Sequence, residues 1–207
     1  MKLLTTMLLL SSLVFSTTEI YDLKSDGKQI GALSVKTKTL SNKQREYKTH
    51  LKIAVDSLLV TYKYEYREDA IFDKKGLLRF KVEEIEDGEK KSMRAKREDN
   101  KLLFTNGKEI LFTQIDVTPF DMNDETRYYK SDVKKFTLKS FDGLTGKLIE
   151  EMYEEVESEK IDAQIYKVIE KRTSLNNEVE KFYISEDGEL RKIVGEDYEM
   201  ILRPQAK

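Results

Sequence analysis

Alternation of apolar and polar side chains is the feature that most limits what this 207-residue chain can become. Period two dominates from Ile20 to Ile85. In Arg45–Val55, Tyr47, Leu51, Ile53 and Val55 share one parity, and Glu46, Lys48, His50 and Lys52 the other. Leu58, Val60, Tyr62, Tyr64 and Tyr66 oppose Thr61, Lys63, Glu65 and Arg67, and Leu78, Phe80 and Val82 oppose Arg79, Lys81 and Glu83. Successive strand residues point to opposite sides, so these runs predict strands with one dry and one wet face. Such strands belong to antiparallel sheets, because parallel strands are covered on both faces.

The punctuation is that of hairpins. Asp26-Gly27, Asp87-Gly88, Asn106-Gly107, Asp142-Gly143 and Asp187-Gly188 supply the positive φ of tight turns. Ser41-Asn42-Lys43 and Asp73–Gly76 read as longer turns. Further strands are expected at Lys90–Glu98, Lys101–Thr105, Glu109–Phe112, Lys134–Ser140, Lys160–Lys171, Glu178–Ser185, Glu189–Val194 and Tyr198–Arg203. The resulting fold is mainly β: a single large curved antiparallel sheet, a half barrel or open barrel of meander topology, with at most one or two short helices. Two segments break the rhythm. Pro119 cannot donate within a central strand, and Thr118 with Pro119 could open a short helix. In Lys147–Glu157, Leu148, Ile149, Met152, Tyr153 and Val156 recur at helical spacing, while the hairpin context tips the reading toward strand.

The first segment reads as an address. Lys2 supplies a positive start, Leu3 to Phe15 is largely apolar, and Val14 and Ser16 are small. This three-part pattern is that of a cleaved secretory signal over residues 1–16, with 17–207 as a single β domain. The apolar run is too short to span a bilayer. A periplasmic or secreted protein is therefore expected, not integral to the membrane after cleavage. There is no cysteine, so the fold holds without disulfides in an oxidising compartment.

Composition removes several chemistries. Without cysteine there is no thiol nucleophile and no thiolate metal site. The 37 basic and 39 acidic residues give a formal charge of −2, which becomes −3 once Lys2 is removed. That balance argues against a general nucleic-acid binder. None of the phosphate-cradling, dinucleotide, nucleophile-elbow or zinc-helix motifs occurs. The lone imidazole, His50, lies on a charged face and reads first as a solvated surface group. Glu83/Glu84, Glu150/Glu151 and Glu154/Glu155 are adjacent acids in an acid-rich chain, and Asp121–Asp124 lacks the full spacing of a calcium loop. No catalytic, cofactor or metal residue is assigned. Lys90–Arg97 (KKSMRAKR) is the one local positive cluster, readable as a guarded edge strand or as a patch for acidic headgroups or envelope polymer. The row Tyr62, Tyr64, Tyr66 with Phe72 and Phe80 reads first as core, and second as the wall of a trough for an apolar ligand, with hydroxyls as polar handles.

Four stretches carry a resemblance. They are Tyr21-Asp22-Leu23 with Asp26-Gly27-Lys28-Gln29-Ile30-Gly31, the Tyr62–Tyr66 hairpin, the turn from Phe141 to Lys147, and Phe182 to Leu190 with the last strand after it. In these the chain resembles a bacterial exported family known as a domain of unknown function. The family often has Trp or a second aromatic in the closing hairpin, where this chain has Phe182-Tyr183. The resemblance implies a long sheet bent into a half barrel, similar in outline to periplasmic lipoprotein carriers, and it brings no catalytic residues. The expectation is a non-enzymatic exported protein whose concave face holds an apolar or lipid-like ligand. The alternatives are an envelope structural or interaction protein that binds a protein or polymer partner through sheet edges, and a hydrolase using His50 or an acid pair.

Overall fold

The computed structural model describes residues 16–40, 44–56, 61–111, 134–174 and 178–204. The helix expected near Thr118-Pro119, the loop Asp121–Asp124, the turn at Ser41–Lys43, the positions Leu58 and Val60, and the signal segment up to residue 15 lie outside them. Ser16 opens the first strand. The described residues form fifteen strands and no helix. The first eight are β1 (Ser16–Ser25), β2 (Lys28–Thr39), β3 (Arg45–Asp56), β4 (Thr61–Asp73), β5 (Gly76–Glu86), β6 (Glu89–Glu98), β7 (Lys101–Phe104) and β8 (Glu109–Leu111). The others are β9 (Lys135–Phe141), β10 (Leu148–Glu155), β11 (Glu159–Ile161), β12 (Gln164–Thr173), β13 (Val179–Ile184), β14 (Leu190–Val194) and β15 (Glu199–Leu202).

All belong to one antiparallel sheet of order β8-β7-β6-β5-β4-β3-β2-β1-β15-β14-β13-β12-β10-β9, with β11 paired to β12. Consecutive strands pair except β8 with β9 and β10 with β11; β10 pairs with β12 instead, and the first strand pairs with the last, Tyr21 opposite Leu202. Arg203 reinforces that junction, donating through Nε to Asp22 Oδ1 at 2.8 Å. Among the described residues, the unjoined edges of the sheet are therefore β8 and β9, in mid-chain.

The turns show which local signals were sufficient. At Asp26-Gly27 and Asp87-Gly88 both residues take positive φ, as a two-residue hairpin turn requires. Gly107 and Gly188 end three-residue turns, with Phe104 N donating to Lys108 O and Ser185 N to Glu189 O. The predicted strand Lys160–Lys171 is instead a hairpin, β11–β12, turning at Asp162 and Ala163 with φ of 48° and 69°. Alanine rarely enters that region, so the sequence carried no warning. Lys147–Glu157 contains strand β10. Its helical spacing came from Leu148 and Met152, two apolar residues on the wet face, 42% and 37% exposed. The Leu78 parity also needs correcting. A bulge opposite Ile71/Phe72 pairs Phe72 with Leu77, so Leu77 enters the core and Leu78 does not.

The inner face carries two hydrophobic clusters. One joins Tyr47, Ala70, Phe72, Leu77, Phe80, Val82, Leu102 and Phe104, from β3 to β7, to Phe141 at the end of β9. The other is built around Tyr21, Val35, Tyr153, Ile169, Phe182, Leu190 and Ile193. The loop after β9 bridges the open seam. Asp142 Oδ1 accepts from the backbone N–H of Leu144 at 3.0 Å and of Thr145 at 2.7 Å. Gly146, not Gly143, takes the positive φ of 62°. Gly143 is glycine for another reason: a Cβ there would lie 2.7 Å from Phe80 Cζ. Phe141 meets Phe80 and Phe104 edge-on at 5.4 and 5.2 Å. The sheet thus coils until one end is tucked against the inner wall of β5–β7.

Candidate functional site

The candidate residues all lie on the inner face, at different depths. Register carries one inner row across the sheet: Glu86, Tyr64, Ile53, Gly31, Leu23, Met200, Ile193, Phe182, Ile169 and Glu155. The row is apolar in its middle and acidic at both ends. Gly31 permits close approach between strands, since a Cβ there would meet Lys52 O at 2.1 Å.

Exposure rises along β3 and β4 toward the hairpin that joins them. Tyr47 and Ala70 are sealed, Tyr66 packs against the first cluster, Tyr62, Tyr64 and Ile53 are partly exposed, and Val55 reaches 37%. Phe80 sits at the other extreme, 2% exposed under Phe141 and Gly143. Four of the sequence candidates are thus separated. Tyr62 and Tyr64 stand at an open mouth, Tyr66 lies in its throat, and Phe80 is closed inside the core.

Every phenol in the row has an acid for a partner. Tyr62 donates to Glu86 at 3.2 Å, Tyr64 to Glu84 at 3.1 Å and Tyr66 to Glu68 at 2.7 Å. Glu68, 5% exposed, is a buried carboxylate on the dry parity. A phenol on a dry face requires a partner, and a carboxylate there requires donors, so each solves the other's difficulty. Burial first, and the nearby carboxylate second, push all three phenol pKa values up. The same pairing recurs in Tyr21–Glu19, Tyr153–Glu151 and Tyr198–Glu180.

Across the interior lies a polar cluster that the sequence did not announce. Lys171 Nζ is 3.5 Å from Glu151 and 3.6 Å from Glu180, and it sits over the rings of Tyr153 and Phe182 at 5.9 and 5.8 Å. Its side chain is only 14% exposed. Three strands, β10, β12 and β13, bring these groups together. The one usable signal was the inward parity of Lys171 beside Ile169.

On the outer face, His50 Nε2 lies 2.5 Å from Glu65 Oε1, which also accepts from Arg67 at 2.8 Å. The His50 hydrogen bond, ahead of the one from Arg67, holds the Glu65 carboxyl down at about 2. The adjacent acids are split by the sheet: Glu83 pairs outside with Lys81 and Lys90, while Glu84 pairs inside with Tyr64 and Lys91. Glu150/Glu151 and Glu154/Glu155 are likewise consecutive residues of one strand, whose side chains leave opposite faces. No cluster of three or more metal-binding side chains occurs among the described residues.

A family model described as domain of unknown function (DUF6134) matches residues 21–197. The chain belongs to that family. No curated protein matches it. Among solved structures it is similar to a "beta-barrel-like protein of domain of unknown function DUF1849" from Brucella abortus. The TM-score is 0.65 at 14% identity, over 92% of this chain and 96% of that one. At that identity the likeness concerns the fold, and it agrees with the coiled, unclosed sheet described above.

Proposed function

We propose that this DUF6134 protein is exported and non-enzymatic, and holds an apolar or lipid-like ligand at the mouth of its coiled sheet. The observation that carries this reading is the gradient along β3 and β4. The inner wall is sealed at Tyr47 and Ala70, yet opens at Ile53, Val55, Tyr62 and Tyr64. An apolar wall that is left partly open, with aromatic rings at its rim, is the usual form of a small-molecule site. The signal-like segment Met1–Ser16 supports export, and no helix among the described residues is long and apolar enough to cross a membrane.

The test is native mass spectrometry and solvent extraction of the protein purified from the exported fraction, beside titration with a fluorescent fatty acid. Co-purifying lipid, and uptake of the probe that falls when Tyr64 or Val55 is changed to a charged residue, are expected. Protein that carries nothing and does not take up the probe would refute the carrier reading. A stable protein partner captured by crosslinking in cells would favour the envelope-interaction alternative.

A further inference from the structure

The outer face carries a second feature, independent of the interior ligand. Lys90–Arg97 is not an edge throughout: β5 pairs with β6 over Glu89–Lys96, while on the other side β7 covers Ala95–Glu98 and leaves Lys90–Met93 without a strand partner among the described residues. Nor does the cluster act as one patch. Lys91, Met93, Ala95 and Arg97 have the inward parity, and Arg97 is nearly buried against Asp73. Arg94 and Lys96 point outward, where register sets them directly opposite Lys81 and Arg79.

Following the register outward from this block gives two adjacent rows from β2 to β6. One reads Lys36, Lys48, Asp69, Lys81, Arg94, and the other Lys38, Glu46, Ile71, Arg79, Lys96. Seven cations face two acids on the surface of an acidic chain. Like charges directly opposite on neighbouring strands destabilise a sheet, so the fold does not call for this arrangement. Neither the Arg79 nor the Arg94 guanidinium pairs with an acid among the described residues. The surface between the rows is concave. A groove of about 780 Å³ is lined by Lys48, Arg79, Lys81, Arg94 and Lys96, with Leu78 and Leu103 among the apolar lining and Glu46 and Asp69 toward β3 and β4. Lys48 lies 3.5 and 3.7 Å from those two acids, and Lys81 and Lys96 reach Glu83 and Glu98, so among the described residues the two guanidiniums are the groove cations left without an acid. At about 4.8 Å between strands, the rows run roughly 19 Å.

We propose that this groove binds a linear acidic polysaccharide. A groove fits a chain better than it fits a flat bilayer. A polymer of phosphate alone would leave the apolar lining unused. A glycan instead offers C–H faces to Leu78 and Leu103 and spaced carboxylates to the two unpaired guanidiniums, with Lys81 and Lys96 beside them.

The purified protein is titrated with polygalacturonate, inorganic polyphosphate, neutral dextran and vesicles rich in anionic lipid, over a range of salt. Polygalacturonate is expected to bind with strong salt dependence. Arg79→Gln with Arg94→Gln removes two contacts; at a slope of about 0.7 per contact, affinity falls about 25-fold at 0.1 M salt. Lys147→Gln with Lys160→Gln, away from the groove, leaves binding unchanged. Relief of repulsion means that the arginine variant melts no lower than the parent; if it does, Lys81→Gln with Lys96→Gln serves instead. The proposal is overturned by absence of polygalacturonate binding at low salt, by equal or tighter binding of polyphosphate, by vesicle capture without polysaccharide binding, or by equal losses in the Lys147/Lys160 variant.

Discussion

Gly143→Ala tests the coiled architecture at its seam. The backbone of Gly143 does not take positive φ, so an alanine brings no conformational strain and the effect is steric alone. Its Cβ would stand 2.7 Å from Phe80 Cζ, 3.3 Å from Cε1 and 3.7 Å from Val82 Cγ1. Carbon atoms settle at about 3.5–4.0 Å, so the ring or the loop must give by roughly an ångström. Phe80 has little freedom to do so, being 2% exposed and held edge-on by Phe141. Overpacking of this kind costs about 1–3 kcal/mol. For a domain of this size that is a fall in Tm of roughly 2–12 °C, at 2–4 °C per kcal/mol. Thermal unfolding followed by circular dichroism measures it. The decisive comparison is the double variant with Phe80→Leu. If the loop lies against Phe80, the smaller side chain makes room, and the double variant loses clearly less than the sum of the singles. A neutral Gly143→Ala, or strictly additive losses, would show that the β9–β10 loop does not seal the β5–β7 wall.

Three shorter predictions concern other elements. Ala163→Gly relieves a residue held at φ 69° in the β11–β12 turn, and is expected to stabilise by about 0.5–1 kcal/mol, read as a higher Tm. The Glu65 carboxyl is depressed to about 2, chiefly by His50. Its stabilising contribution is therefore complete above the ordinary carboxylate value of 4.5 and lost as pH falls through about 2. In His50→Ala the acid limb of the melting curve should begin at higher pH, and superimposable limbs between pH 2 and 6 would contradict the pairing. Finally, the phenols of Tyr64, Tyr66 and Tyr198 are all pushed up. Absorbance at alkaline pH should show them ionising after the exposed tyrosines, together with unfolding; a single early titration of every phenol would refute their burial and pairing.

How much of this was legible depended on the range of the interaction. Asp26-Gly27 and Asp87-Gly88 specify their hairpins within two residues, and the parity of Tyr47, Leu51 and Ile53 follows from neighbours in one strand. Asp162-Ala163 escaped because its conformation is imposed by the paired strands rather than preferred by the residues. Leu148 and Met152 mimicked a helix because scattered exposed apolar residues are ordinary on a protein surface. The β1–β15 junction and the seam at β8 and β9 have no local signature at all. They arise from pairing between the two ends of the chain. Glu68 and Lys171 were illegible in a different way. Each looks like an error in the dry parity until Tyr66, two residues back on the same strand, or Glu151 and Glu180 on the flanking strands, supply the missing partner.

That pairing changes what the open mouth can offer a ligand. From the sequence, the tyrosines suggest hydroxyl handles. In the structure, the hydroxyls of Tyr62, Tyr64 and Tyr66 already donate to Glu86, Glu84 and Glu68. The parts left for a ligand are ring surfaces, with Ile53 and Val55 beside them. Selectivity would then rest on shape and apolar area, and the carboxylates would serve to fix the rings. Tyr64→Phe separates the two roles. It keeps the ring and removes the donor to Glu84, which retains Lys91 at 3.1 Å. The expected cost is about 0.5–1.5 kcal/mol of stability, with uptake of the fluorescent fatty acid unchanged. Tyr64→Ala removes the ring as well and should lower uptake. If Tyr64→Phe abolished uptake while leaving Tm intact, the hydroxyl would be a contact to the ligand, and the fixed-ring account of the mouth would be wrong.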